Sequence, residues 1–286
     1  MQTLRIFLEM IKFKHTLFAL PFAYAGALLT AQRVPSLHDL FWITVAMAGA
    51  RTAAMSFNRL ADRHFDAANP RTANRALPQN QLSLLAVSLY TLLSLLLLAL
   101  AAFQLSSLAV KLLLPVVFCL TFYSYTKRFT WLCHLFLGAT LGLAPLCAWA
   151  AIADTLSLPA LSLWGGVLFW VAGFDIIYAC SDMEFDRQAG LYSIPACFGL
   201  APSLRLAAFF HVFAAGFFVI TGWLLALGPW YWAALGVAAF PLWWQHHLVS
   251  PADLIRSQVA FFHCNSLLSL LFFAGVLLDV LTRHGF

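Results

Sequence analysis

Charge is what this chain has least of. Only 9% of its 286 residues are Asp, Glu, Lys or Arg, against roughly a quarter in an ordinary soluble domain, so a water-facing globule is excluded. The six cysteines, Cys119, Cys133, Cys147, Cys180, Cys197 and Cys264, include no C-x-x-C pair. That excludes a disulfide framework and argues against a thiolate metal centre. His15, His64, His134, His211 and His263 have no second ligand at His-x-x-x-His or a similar spacing, which argues against a transition-metal site.

Apolar residues fill the space that charge leaves. They make up 63% of the chain, with 27 Phe and 10 Trp, at a mean hydropathy of +0.86. A lipid-spanning helix needs about 20 mostly apolar residues rising about 1.5 Å each. The runs between charges, prolines and glycines predict nine such helices, near 15–31, 39–57, 82–103, 108–125, 131–152, 162–180, 203–221, 229–245 and 259–281. The expected fold is all-α, a polytopic membrane protein forming a single membrane domain over 1–286. Arg5, Lys12 and Lys14 ahead of the first run give it the look of a signal peptide. Its length, and the spans that follow, read instead as a retained first helix.

The net charge of +5 has a topological explanation rather than a nucleic-acid one. With the N-terminus in the cytoplasm, that side carries Arg5, Lys12, Lys14, Arg59, Arg63, Arg71, Arg75, Lys127, Arg128, Arg187, Arg205 and Arg256, twelve of the 16 basic residues. The other side has only Arg33, Lys111 and Arg283, and Arg51 falls inside the second helix. This is the positive-inside bias. The two sizeable polar connections, 58–81 and 181–202, both fall on the cytoplasmic face, and function is expected there.

Six of the eleven acidic residues gather in those two places: Asp62 and Asp66 in one, Asp175, Asp182, Glu184 and Asp186 in or just before the other. Asn58, Asp62 and Asp66 are spaced by four, one stripe of a helix. Asp182 and Asp186 repeat that spacing, 120 residues on, a hint of two similar halves. Paired carboxylates on one stripe repel and call for a cation. A hard-oxygen set without His or Cys suits Mg²⁺, which uses one or two carboxylates plus phosphate oxygens and water. Two facing pairs would hold two metal ions and, through them, a diphosphate. The competing explanation is salt bridging of these aspartates to the nearby arginines.

Arg51 extends the first stripe, seven residues before Asn58 and eleven before Asp62. A guanidinium within a membrane helix costs about 2.5 to 3.5 kcal/mol on insertion scales, so it should face the bundle interior and an anion. Asp175 and Tyr178 are predicted to share the stripe of Asp182 and Asp186. Tyr123 and Lys127 form a further four-residue pair, with Lys127 as a mobile point charge for phosphate.

NRLADRHFD at 58–66 and DMEFD at 182–186 resemble the N-x-x-x-D-x-x-x-D and D-x-x-x-D motifs of the UbiA superfamily of intramembrane prenyltransferases. DAANPRTANRALP after the first motif, YSYTKR at 123–128 and GFDIIYACSDMEFDRQAGLYSIPACFG at 173–199 extend the likeness over the whole chain. The resemblance implies a circular helical bundle around a central cavity open to lipid, with Mg²⁺ and a polyprenyl diphosphate donor. It implies that Asp62, Asp66, Asp182 and Asp186 hold Mg²⁺ on the diphosphate, assisted by Asn58, Lys127 and Arg59 or Arg63. Arg51 matches an arginine that meets an aromatic acceptor's carboxylate. Tyr123, Asp175 and Tyr178 match positions near the reacting carbons, where tyrosine faces steady an allylic cation and a carboxylate takes the ring proton.

MIKFKHTLFALPFAYAGALL at the start and the RTAAMSFNRLADR run resemble the 4-hydroxybenzoate polyprenyltransferase-like subgroup. The expectation is prenylation of 4-hydroxybenzoate or 1,4-dihydroxy-6-naphthoate in ubiquinone or menaquinone synthesis, in a bacterial plasma (inner) membrane with the active site facing the cytoplasm. Membrane lipid is the surrounding partner, with no nucleic acid and no obligatory protein partner inferred. The alternatives are a haem O synthase-like enzyme and, from another class, an ion-coupled transporter, whose site would sit near the bilayer midplane on broken helices.

Overall fold

The computed structural model describes residues 2–11, 16–254 and 256–284; Lys12, Lys14 and His15 lie outside the described residues. Thirteen helical segments follow one another: α1 Gln2–Met10, α2 Thr16–Ala31, α3 Leu37–Ala68, α4 Leu84–Leu105, α5 Ser107–Thr126, α6 Cys133–Ala153, α7 Leu158–Ala179, α8 Met183–Gln188, α9 Ile194–Phe198, α10 Leu200–Leu224, α11 Pro229–Trp244, α12 Ser257–Val259 and α13 Asn265–His284. A π-helical turn over Ala260–Cys264 joins the last two. Among the described residues there is no β-sheet, and the all-helical membrane class holds.

Each of the nine predicted apolar runs falls on a helix among the described residues. Among the described residues, seven helical stretches are long and apolar enough to cross a membrane. The other two apolar helices, α2 and α11, have 16 residues each, short of the roughly 20 needed to span alone. Each begins or breaks near a proline, Pro21 within α2 and Pro229 at the first position of α11. Boundaries at the serines are physical: the hydroxyls of Ser36, Ser83 and Ser106 accept the backbone N–H of Asp39, Ala86 and Ala109, each at 3.1 Å, satisfying donors that a helix start leaves open.

The bundle is solid on one side and hollow on the other. Phe22, Trp170, Phe218, Tyr231 and Phe272 form a dry aromatic core between α2, α7, α10, α11 and α13, with ring centroids of Phe22 and Trp170 4.9 Å apart. In the hollow half, α3 to α6 and the end of α7 surround a cavity of about 430 Å³. α5 is its thin wall. Leu112, Leu113, Val116 and Leu120 face the cavity while Leu114 and Phe118 are 79% and 59% exposed on the opposite face, where lipid would lie.

Small residues let the helices around the cavity touch. A Cβ at Gly26 of α2 would overlap the carbonyl oxygen of Pro145 in α6, and one at Gly138 of α6 would overlap that of Leu168 in α7. Such contacts replace the hydrophobic drive that lipid cannot supply between helices.

Candidate active site

The expected connection from residue 58 is in fact helix: α3 continues to Ala68, so Asn58, Asp62 and Asp66 occupy one continuous stripe. Asp62 and Asp66 are buried, and all three residues line the polar end of the cavity. The Asn58 side-chain amide donates to Asp62 Oδ2 at 2.9 Å. Arg128 reaches Asp62 Oδ1 at 3.3 Å and the Ala61 carbonyl at 2.8 Å, its guanidinium lying over the ring of Tyr125. Arg59 donates to Asp66 Oδ2 at 3.2 Å, and Arg75 to Asp66 Oδ1 at 2.7 Å.

The segment after α3 folds back over its end. The Asn69 N–H closes on Phe65 O at 3.0 Å, and Thr72 Oγ1 donates to Asp66 O at 3.0 Å. This turn delivers Arg71 and Arg75 to the two acidic pairs. Arg71 donates through Nε to Asp182 Oδ1 at 2.7 Å, through a second nitrogen to Asp182 Oδ2, and through a third to the Tyr178 hydroxyl at 2.6 Å. Asn69 adds a bond to Asp182 Oδ1 at 3.1 Å. Burial by itself would lower the Arg71 pKa, but its bonds to Asp182 and Tyr178 hold it above the ordinary guanidinium value.

The second acidic pair departs from the expected single stripe. α7 stops at Ala179, a 3₁₀ turn covers Cys180–Asp182, and α8 restarts at Met183. The 3₁₀ turn winds at about 3.0 residues per turn rather than 3.6, which rephases Asp182 and Asp186 against Asp175 and Tyr178. All four still line the cavity. The loop beyond α8 is pinned by Leu191 N–H to Asp186 O at 2.8 Å and by Tyr192 N–H to Lys127 O at 2.7 Å, which holds the end of α5 against the second motif.

Deeper in, Arg51 lines the same cavity about three turns, roughly 16 Å, below Asp62 along α3. Tyr123 donates to Ala54 O at 3.3 Å. Asp175 projects from α7 with its Oδ2 2.7 Å from His134 Nδ1 of α6.

Eleven of the twelve candidate residues thus meet in one cavity: Arg51, Asn58, Arg59, Asp62, Asp66, Tyr123, Lys127, Asp175, Tyr178, Asp182 and Asp186. Arg63 is the exception. It is exposed and its guanidinium donates to Leu60 O of its own helix at 3.0 Å, because one residue beyond Asp62 is about 100° around the helix. Arg71, Arg75, Asn69 and His134 were missed as site residues. The first two read from sequence as topology signals, although their four-residue spacing just after the first motif marks them as a pair. His134 has no partner at a metal-ligand spacing, and its position in the sequence gives no other sign of a role.

The donor set fits Mg²⁺ bridged to phosphate better than a protein-enclosed ion. Among the described residues, no three His, Cys, Asp or Glu side chains cluster to hold a metal by themselves; the acids come as two pairs, matching an ion that takes few carboxylates and completes its shell from substrate and water. Asp62, Asp66 and Asp182 are ion-paired with arginine, which fits the salt-bridge explanation as well. Arg59 Nε is buried without a hydrogen-bond partner, a donor held available to an anion.

Residues 19–267 match the UbiA prenyltransferase family. The chain is 31% identical over 251 residues to a 4-hydroxybenzoate solanesyltransferase of Synechocystis sp., covering 87% of this chain and 86% of that one. The apo structure of a UbiA homolog from Aeropyrum pernix superposes with a TM-score of 0.84 at 31% identity, over 93% of this chain and 98% of that one. A UbiA homolog from Archaeoglobus fulgidus bound to DMAPP and Mg²⁺ shares the fold, with a TM-score of 0.70 at 19% identity over 97% and 99%. An all-helical membrane bundle with acid pairs at the mouth of an apolar cavity defines an intramembrane group-transfer enzyme; the chain belongs to the UbiA prenyltransferase family. It is a prenyltransferase and an integral membrane protein.

Proposed function

We propose that this enzyme transfers a polyprenyl group from polyprenyl diphosphate to a ring carbon of a hydroxylated aromatic carboxylate, 4-hydroxybenzoate or 1,4-dihydroxy-6-naphthoate, in ubiquinone or menaquinone synthesis. The observation that carries it is the order of groups along one cavity: paired carboxylates and arginines at the mouth, an arginine three turns below, and apolar walls beyond. The name of the Synechocystis relative supports a hydroxybenzoate acceptor. The charge bias supports an orientation with the mouth of the cavity towards the cytoplasm, in what we take to be a bacterial inner membrane.

Asp62, Asp66, Asp182 and Asp186 would hold Mg²⁺, which supplies charge neutralisation for the diphosphate as its bond to carbon breaks. The Archaeoglobus homolog bound to DMAPP and Mg²⁺ supports a prenyl diphosphate donor and Mg²⁺ here, without saying which residues hold them. Arg59, Arg71, Arg75, Asn58 and Lys127 surround the diphosphate with donors. Arg51 pairs with the acceptor's carboxylate and aims its ring at the prenyl carbon. Tyr123 and Tyr178 present electron-rich rings to the allylic cation, in a cavity whose apolar walls keep water from trapping it. The isoprenoid tail lies along Leu98, Ala102, Leu112 and Val116, where each buried CH₂ contributes about 0.8 kcal/mol.

The test is to supply membranes containing the enzyme with Mg²⁺, a polyprenyl diphosphate and each acid separately. Prenylated product from one acid assigns the acceptor. Absence of both product and released diphosphate under every condition overturns the reading.

A further inference from the structure

His134 lies outside every motif that carried the family likeness, yet it is the buried partner of a cavity carboxylate. Its side chain is 3% exposed. The backbone N–H of Ile194 points at Nε2 from 3.2 Å. A nitrogen that accepts a hydrogen bond carries no proton, so the ring is the neutral Nδ1–H tautomer. Nδ1 therefore donates to Asp175 Oδ2 at 2.7 Å, and the Asp175 side chain stays 22% exposed in the cavity wall.

We propose that His134 is the positioning residue of the proton acceptor in this reaction: its Nδ1–H fixes Asp175 as an oriented carboxylate, and the Ile194 N–H fixes the tautomer that allows it. The inference rests on the aromatic prenylation proposed above. In that step the ring carbon forms a bond to the prenyl carbon, and the carbon–oxygen bond breaks with its electron pair leaving on diphosphate. The proton on the same ring carbon passes to Asp175, and its bonding electrons restore the aromatic ring. A carboxylate held by one oxygen presents the other in a fixed direction, the arrangement in which a buried His–carboxylate pair orients a base.

The two ring nitrogens give two diagnostic variants. In His134→Asn the amide nitrogen can occupy the position of Nδ1 and keep the bond to Asp175. In His134→Gln the amide reaches the position of Nε2 and loses it. Both are assayed with 4-hydroxybenzoate, ordinary and deuterated on the ring, or with the corresponding naphthoate if that is what the wild-type enzyme takes. His134→Gln is expected to lower kcat about 10- to 100-fold, the usual effect of removing an orienting partner, with the KM for polyprenyl diphosphate unchanged. It should also show a ring-deuterium isotope effect clearly above that of the wild type, since proton removal becomes slow. His134→Asn is expected to stay within about threefold of wild-type kcat and to keep the wild-type isotope effect. Equal losses in both variants at an unaltered isotope effect, or wild-type kinetics in both, overturn the inference while leaving the prenylation intact. A wild-type enzyme that prenylates neither acid overturns the underlying reading instead.

Discussion

Arg71 grips Asp182 across 111 residues of sequence, through two of its guanidinium nitrogens, and spends a third on the Tyr178 hydroxyl. The fork ties the turn after the first acidic motif directly to the second. Two motifs on different helices are thereby held as one anion-binding mouth, and a flat, multiply donating guanidinium does this where an ammonium would not.

Replacing Arg71 tests that mouth. Arg71→Ala removes charge-assisted bonds worth about 1.5 to 3 kcal/mol, and is expected to raise the KM for polyprenyl diphosphate roughly 10- to 100-fold. Arg71→Lys should recover only a small part. Steady-state kinetics in detergent or nanodiscs would decide; an unchanged donor KM in Arg71→Ala would remove Arg71 from the binding site.

The aspartate pairs should answer to metal. Chelation with EDTA is expected to abolish transfer and added Mg²⁺ to restore it. Asp62→Asn and Asp186→Asn should each raise the Mg²⁺ needed for half-maximal rate and cut kcat by about 100-fold or more, given how much of such a reaction is charge stabilisation. Rates read across a Mg²⁺ titration check both points, and normal Mg²⁺ dependence in either variant would contradict the ligand set.

Packing around the cavity should tolerate no bulk at Gly138. A side chain there overlaps the Leu168 backbone, so Gly138→Val is expected to destabilise the protein by about 1 to 3 kcal/mol, the usual cost of overpacking. Thermal unfolding in detergent measures it. A Tm equal to wild type would mean that α6 and α7 separate more easily than their contact suggests.

One acidic residue gives a pH signature away from the site. The Leu108 N–H, at 2.6 Å, and the Ser107 hydroxyl hold the Asp154 carboxyl below its ordinary range. A depressed carboxylate stabilises the folded state fully above its unfolded pKa of about 3.9, and that contribution is lost as pH falls from there through the folded value. Asp154→Asn should therefore melt earlier than wild type at pH 7, with the gap closing in acid below about pH 4. A gap that persists unchanged in acid would show that the charge is not what Asp154 contributes.

Much of this molecule was readable from the chain because lipid imposes a simple grammar. Runs of apolar residues sufficed to locate α3 to α7, α10 and α13, since a membrane leaves helix as the answer for each. The four-residue spacing of Asn58, Asp62 and Asp66 was enough to put them on one face. Reading failed where tertiary contacts decide. The 3₁₀ turn at Cys180–Asp182 leaves no periodic trace, and a polar stretch such as 58–68 looks like a loop until its partners are known. Arg71 and Arg75 were indistinguishable from charges that merely mark the cytoplasmic side. His134 gave no signal at all, because its partners are 41 and 60 positions away.

α3 runs unbroken from Leu37 to Ala68, carrying Arg51 and all three residues of the first motif on a single rod. Angular phase along that rod is therefore a shared property of both substrates' contacts. One residue inserted between Arg51 and Asn58 would swing the two groups apart by about 100°, turning either the guanidinium or the acids into the wall. The turn after Ala68 is held by contacts instead, since Asn69, Arg71 and Arg75 reach the acids from it. Any relative that has lost a residue within the rod must have lost this alignment or regained it elsewhere.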